Sequence, residues 1–263
     1  MTSRNGVILA LDGVSVSFGG LQAVSDFDFA LQQGELAGLI GPNGAGKTTV
    51  FNIITGQYEP VRGRIFFRGH DITGWRPDRV TNVGIARTFQ NMRLFEGLTV
   101  LDNVLVARHA KLRSSMLAAA LNLPSYMREE RQARNKAMEL LDRVGLKELA
   151  HTQAGSLPYG QQRRVEIARA LAAEPEVLLL DEPAAGMNPE ETTRLMEFIC
   201  DIRDEFGLTI LLIEHDMKLV MGICERIRVI DYGVSIAEGT PQEIQGNAKV
   251  ISAYLGEEGC DYA

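Results

Sequence analysis

Nine consecutive residues constrain this chain more than any others: Gly41-Pro42-Asn43-Gly44-Ala45-Gly46-Lys47-Thr48-Thr49. A short apolar run at 36–40 leads into them, and 50–55 can continue as a helix. Strand, glycine loop and helix in that order are what a phosphate-binding loop requires. Glycine takes φ > 0 without a Cβ clash, so the backbone can wrap closely around an anion. Successive backbone N–H groups then point inward. A helix starting near Gly46 adds its own unpaired N–H groups and the positive end of its dipole. Lys47 can reach β- and γ-phosphate oxygens, and the Thr48 hydroxyl can ligate Mg²⁺.

The rest of the composition limits what surrounds that loop. At 263 residues with 45% apolar side chains, the chain is globular and forms one large domain or two small ones. A net charge of −7 argues against a general nucleic-acid binder. Cys200, Cys224 and Cys260 are far apart and odd in number, so neither a disulfide framework nor a zinc spacing follows, and a reducing cytosol fits. Met1-Thr2-Ser3-Arg4 leads into a strand pattern rather than a signal peptide. No apolar run approaches the ~18–20 residues that span a bilayer, so work at a membrane would need another chain to do the spanning.

Residues 7–40 read as strands. Val14, Val16 and Phe18 alternate with serines, and Phe27, Phe29 and Leu31 alternate with Asp28, Ala30 and Gln32. Period two predicts an antiparallel sheet with one wet face. Phe18, next to the turn Gly19-Gly20, suits either the core or a flat platform for an adenine ring. A further strand is expected at 64–67. Gln90 follows the stretch Gly84-Ile85-Ala86-Arg87-Thr88-Phe89, and its own pattern gives it no role.

Residues 98–173 look helical. Thr99 and Asp102 have the spacing of a capping box. Residues 109–127 form a looser Ala- and Leu-rich stretch broken at Pro124. From 127 to 144 a charged helix puts Ala133, Ala137, Leu140, Leu141 and Val144 on one face, with Gly145 as its C-cap. In Leu157-Pro158-Tyr159-Gly160-Gln161, Pro158 suits the first turn of a helix whose buried face is Val165, Ala168, Leu171 and Ala172. Gly160 leaves that helix start open as a second anion site.

Val177-Leu178-Leu179-Leu180 has no alternation, which fits a central parallel strand covered on both faces. Asp181 and Glu182 follow it, at the end where α/β sheets place ligands. Asp181 can hold Mg²⁺, and Glu182 can act as general base on water. A helix near 190–205 and a buried strand at 208–213 come next. Of the four histidines, only His215 lies at a strand end, at the edge where a γ-phosphate would sit.

Taken in order, these motifs resemble the nucleotide-binding subunit of ABC transporters over nearly the whole chain. The resemblance implies a P-loop NTPase α/β fold: a RecA-like core with an antiparallel β-subdomain (about 1–90 and 166–240), a helical subdomain (about 91–165) and a tail at 257–263. It makes 41–49 the Walker A loop, Gln90 the Q-loop glutamine at Mg²⁺ and the attacking water, and Asp181 the Walker B aspartate. It makes Glu182 the catalytic glutamate, His215 the switch histidine at the γ-phosphate, and Phe18 the A-loop aromatic. Leu157-Pro158-Tyr159-Gly160-Gln161 becomes the signature that completes a partner's ATP site.

Two departures stand out: Pro158 replaces the usual signature serine, and Asn188 stands where the D-loop usually carries aspartate. Proline cannot donate the serine's hydrogen bond, so weaker closure on ATP is expected rather than loss of activity. The longer runs Ala86-Arg87-Thr88-Phe89-Gln90, Tyr159-Gly160-Gln161-Gln162-Arg163-Arg164, the stretch 181–189 and the stretch 213–221 are similar to the ATP-binding subunit of high-affinity branched-chain amino acid importers, as are the insert at 109–135 and the tail at 253–257.

That likeness implies ATP and Mg²⁺ as cofactors and a second ABC ATPase chain, identical or paralogous, as dimer partner. It also implies two transmembrane permease subunits touched near 91–98, a substrate-binding protein engaged indirectly, and a place on the cytoplasmic face of the membrane. Related ATPases for urea or lipopolysaccharide transport, a non-transport ABC ATPase and, more distantly, a nucleotide kinase remain as alternatives.

Overall fold

The computed structural model describes residues 6–90, 92–109 and 124–258. Most of the looser stretch at 109–127, together with Asn91, Cys260 and the tail beyond 258, lies outside the described residues. The chain divides into two compact units, one formed by 1–87 with 176–263 and the other by Thr88–Pro175.

The first unit holds two sheets. β1 (Val7–Phe18) and β2 (Leu21–Gln32) form an antiparallel hairpin whose turn, Gly19-Gly20, has positive φ at both residues. β4 (Arg62–Phe67) pairs with β1, and β5 (His70–Asp71) pairs with β4, giving the order β2-β1-β4-β5. Along β2, Val24, Phe27, Phe29 and Leu31 are buried while Gln22, Asp26 and Asp28 are exposed, so the sheet has the wet face that the alternation predicts.

The second sheet contains β3 (Leu36–Ile40), β6 (Ile85–Arg87), β7 (Val177–Asp181), β8 (Thr209–Ile213), β9 (Arg226–Asp231) and β10 (Val234–Gly239). Their order is β10-β9-β3-β8-β7-β6, parallel except for the β9–β10 hairpin. Every residue of β3, β7 and β8 is buried, as expected for parallel strands covered on both faces. β3, β7 and β8 end at one common edge, and the glycine loop, Glu182 and His215 follow those ends.

One core joins both sheets to helix α1 (Lys47–Ile54): Phe27, Phe29, Phe51, Ile53, Leu39, Leu179 and Leu211 all belong to it. Each such side chain contributes about 1.5–3 kcal/mol on burial. The unit also carries α2 (Pro77–Val83), α6 (Pro189–Phe206), α7 (Met217–Ile223), α8 (Pro241–Gln245) and α9 (Ala248–Glu258).

The second unit carries α3 (Val100–His109), α4 (Pro124–Arg143) and α5 (Tyr159–Leu171). Thr99 Oγ1 accepts from the Asp102 N–H and donates to the Asp102 carboxylate, so the pair caps α3. Ala133, Ala137, Leu140, Leu141 and Val144 are buried, while Arg128, Arg131 and Arg134 face solvent. Gly145 follows with φ 69°. α5 buries Val165, Ala168, Leu171 and Ala172. Pro158 is its N-cap rather than part of its first turn, so the expected helix start moves by one residue. The helix lies whole within the unit that ends at Pro175.

Asn188 has a local task that its motif position hides. Its side chain accepts from the N–H groups of Glu190 and Glu191, and the Glu191 carboxylate accepts from the Asn188 N–H. This is a complete capping box on α6. Replacing a cap of this kind costs about 1 kcal/mol. Asn188→Ala is expected to lower the urea midpoint accordingly, and Asn188→Asp, which keeps the acceptor, is expected to match the original chain.

Candidate active site

The glycine loop is locked from behind by main chain. A Cβ at Gly41 would lie 1.9 Å from the Ile230 carbonyl oxygen, and one at Gly46 would lie 2.6 Å from the Ala23 carbonyl oxygen. Only glycine fits at either place. Gly44 and Gly46 have φ of 76° and 105°, a region that side chains rarely adopt. The Gly233 N–H donates to the Ala45 carbonyl at 2.9 Å, which ties the β9–β10 turn to the loop.

α1 starts at Lys47 with no side-chain cap, so its first N–H groups face the loop, as an anion site needs. Lys47 is buried, and its Nζ donates to the Gly41 and Pro42 carbonyls at 2.7 and 2.8 Å. Those carbonyls hold the ammonium inside the loop. Thr48 is exposed on the first turn of α1. Pro42 and Ala45 are buried, Asn43 and Gly44 are exposed, and Thr49 is half-buried.

At the end of β7, Asp181 meets a cation that the sequence reading gave no role. Arg87 Nη2 donates to Asp181 Oδ2 at 2.6 Å, and Arg87 Nη1 donates to Asn52 Oδ1 on α1 at 2.7 Å. The two charged side chains are 5% and 2% exposed. One planar guanidinium therefore joins the metal-ligand candidate to the helix that carries Lys47 and Thr48. As hard oxygen donors, the Asp181 carboxylate and the Thr48 hydroxyl suit Mg²⁺, which is usually held by one or two protein groups plus substrate phosphates and water. No group of three or more His, Cys, Asp or Glu side chains that could hold a metal ion occurs among the described residues.

Glu182 sits one residue beyond β7 with φ 46°, and a non-glycine residue held there costs about 1–3 kcal/mol. Its N–H donates to the Ile213 carbonyl at 2.9 Å. Its Oε1 lies 2.9 Å from His215 Nε2, with the two side chains 13% and 40% exposed. A half-open carboxylate next to an imidazole can take a proton from water and orient it. Beside them is Glu214, buried and accepting from the backbone N–H groups of Ala184, His215 and Asp216.

Phe18 is 44% exposed and packs edge-on against Tyr58 with ring centroids 5.0 Å apart. That exposure removes the core reading of Phe18.

Gln90 and the stretch 157–161 belong to the second unit. There Arg163 and Glu166, 0% and 1% exposed, form a 2.6 Å ion pair. Arg163 also donates to the Phe89 carbonyl at 3.0 Å and the Gln90 carbonyl at 3.3 Å. α5 thus grips the backbone at Phe89 and Gln90. Leu157 is buried, Pro158 and Tyr159 are exposed, Gly160 and Gln161 are half-buried, and α5 has no side-chain cap. Helical spacing marks Arg163 and Glu166 as possible partners at i and i+3. Nothing in the sequence places Arg87 beside Asp181, which is 94 residues away.

Removing one partner of a buried pair leaves the other charge uncompensated, at a cost of about 3–5 kcal/mol. Arg87→Ala is expected to destabilise the chain by that amount in urea denaturation. Arg87→Lys is expected to recover only part of it, because an ammonium lacks the fork that spans Asn52 and Asp181.

Residues 24–185, more than half of the chain, match the ABC transporter family, and residues 236–259 match the branched-chain amino acid ATP-binding cassette transporter family. The high-affinity branched-chain amino acid transport ATP-binding protein LivG of Salmonella typhimurium is 49% identical over 95% of this chain and 98% of its own length. The ADP conformation of an ATP-binding cassette from an ABC transporter superposes with a TM-score of 0.84 at 31% identity, covering 95% of this chain and 99% of that one. A dimeric cassette in a post-hydrolysis state, bound to ADP and phosphate, gives 0.72 at 27% identity, covering 89% and 99%. The chain belongs to the ABC transporter family and is one of its ATP-hydrolysing cassettes, in the branch that holds the branched-chain amino acid transport ATP-binding proteins.

Proposed function

We propose that this chain hydrolyses ATP at the cytoplasmic face of the membrane to drive the uptake of branched-chain amino acids. The observation that carries the hydrolytic half is the 2.9 Å contact between Glu182 and His215 at the sheet edge where the glycine loop begins. The substrate class rests on the likeness to LivG. No residue of this chain needs to touch the amino acid. No helix among the described residues is long and apolar enough to cross a membrane, and the reading gives that role to two permease subunits, with a substrate-binding protein acting through them.

In this reading Lys47 leaves its carbonyl partners for the β- and γ-phosphates, and the N–H groups of 43–49 line the triphosphate. Thr48 and Asp181 would hold Mg²⁺, and the ion would supply charge neutralisation to the phosphates. Phe18 stacks on the adenine. Glu182 accepts a proton from water, while His215 holds the water's target in line. The open start of α5 serves a second cassette, identical or paralogous, in a two-fold head-to-tail pair. There Tyr159 and Gly160 offer N–H groups, and Pro158 offers no hydroxyl, which leaves closure weaker by about one neutral hydrogen bond, 0.5–1.5 kcal/mol. The dimeric post-hydrolysis cassette supports such a pair. The unit formed by 1–87 and 176–263 is the ATP-binding core with its β-subdomain, Thr88–Pro175 carries the helical subdomain, and 92–98 faces the permease.

Labelled leucine uptake by cells carrying Lys47→Ala at matched protein level tests the whole reading. Uptake is expected to be lost, and unchanged uptake overturns the substrate assignment. Glu182→Gln is expected to keep ATP affinity, to accumulate the nucleotide-bound dimer and to slow hydrolysis by at least ~100-fold, the lower end of general-base effects. Hydrolysis at the original rate removes Glu182 from the role of base.

A further inference from the structure

We propose that Glu214 is a positioning residue for hydrolysis: its buried carboxylate spans the segments after β7 and β8 and so holds Glu182 against His215.

Glu214 is 2% exposed. Its Oε1 accepts from the Ala184 N–H at 2.6 Å, and its Oε2 accepts from the His215 and Asp216 N–H groups at 2.9 and 3.3 Å. One of these residues lies two positions after Glu182, and another is His215 itself. Glu182 is in the left-handed region, with φ 46°, a conformation that persists only where its surroundings enforce it. The bond to Ala184 fixes the turn just past Glu182, and the bond to His215 fixes the backbone of its partner. The two catalytic side chains thus share one anchor, and their 2.9 Å contact is set by it.

The chemistry of that anchor is unusual for a residue with only a packing role. Burial pushes the Glu214 carboxyl above the usual range. The N–H groups of Ala184, Asp216 and His215 pull it back, and the charge of Glu182 adds to the upward push. A carboxylate kept this deep beside another carboxylate needs its N–H donors. The donors lie on the two segments that must stay in register. No glutamine can replace it fully, because an amide offers a donor where one set of N–H groups needs an acceptor.

The inference rests on hydrolysis at this site, and the test separates the two. Single-turnover ATP hydrolysis, ATP affinity and melting temperature are measured on the full chain for wild type, Glu182→Gln, Glu214→Ala, Glu214→Gln and the Glu182→Gln/Glu214→Ala pair. Both Glu214 variants are expected to lose rate, up to about 100-fold for alanine as for a misplaced catalytic group, with ATP affinity unchanged. In the Glu182→Gln background the second substitution is expected to cost nothing further, because the anchor acts through Glu182. Should Glu214→Ala fail to fold, Glu214→Gln and its pairing with Glu182→Gln carry the same comparison. Wild-type rate in Glu214→Gln, an equal loss of affinity and rate, or an additive loss in the double variant overturns the inference. Absence of hydrolysis in wild type overturns the function itself.

Discussion

The parallel register of β7 against β8 sets Asp181 opposite Ile213, and the contact between Glu182 and His215 depends on that pairing. Because the strands run the same way, the residues after each emerge side by side. The Glu182 N–H reaches the Ile213 carbonyl, Glu214 reaches the Ala184 N–H, and His215 meets Glu182. A slip of one residue would turn every side chain of a strand to the opposite face. β3, next to β8, delivers the glycine loop to the same edge. One sheet therefore gathers the glycine loop, Asp181, Glu182 and His215 from segments far apart in the chain.

Buried charge maintains the fine geometry. Arg87 with Asp181 and Arg163 with Glu166 are ion pairs almost without solvent. Such pairs are weak arguments for stability, since desolvation offsets their attraction. Their directional bonds explain their use here. Arg87 reaches both α1 and β7, so the helix under the phosphate loop and the strand carrying Asp181 cannot shift independently. Arg163 does the same for α5 and the backbone at Phe89 and Gln90.

The glycine loop, the strand before it and the helix after it were legible in the sequence, because φ freedom and local order suffice to specify them. The wet-faced β1–β2 hairpin and the fully buried β7 and β8 were legible from hydrophobic period. Phe18 was ambiguous, since a strand aromatic beside a turn can face either way, and its exposure decided it. Asn188 read only as a departure from the usual D-loop aspartate, yet it caps α6, because the capping bonds depend on where that helix begins. Arg87, Arg163 and Glu214 were read only as members of motif runs, and Glu166 was given no reading. Periodicity treats a charged residue as solvated, and only partners brought in from distant segments make its burial tolerable.

By itself the sequence determined the phosphate loop, the order of the motifs and such elements as the β1–β2 hairpin, β7, β8 and the charged helix α4. Each depends on neighbours within a few residues: glycine conformations, capping spacings, apolar periods. The tertiary structure alone decided that Glu182 touches His215, that Arg87 neutralises Asp181 and that Glu214 bonds to the segments after both β7 and β8. Those contacts join residues 33, 94 and 30 positions apart. They arise from strand order and register, which follow from burying both faces of one sheet and from no local preference.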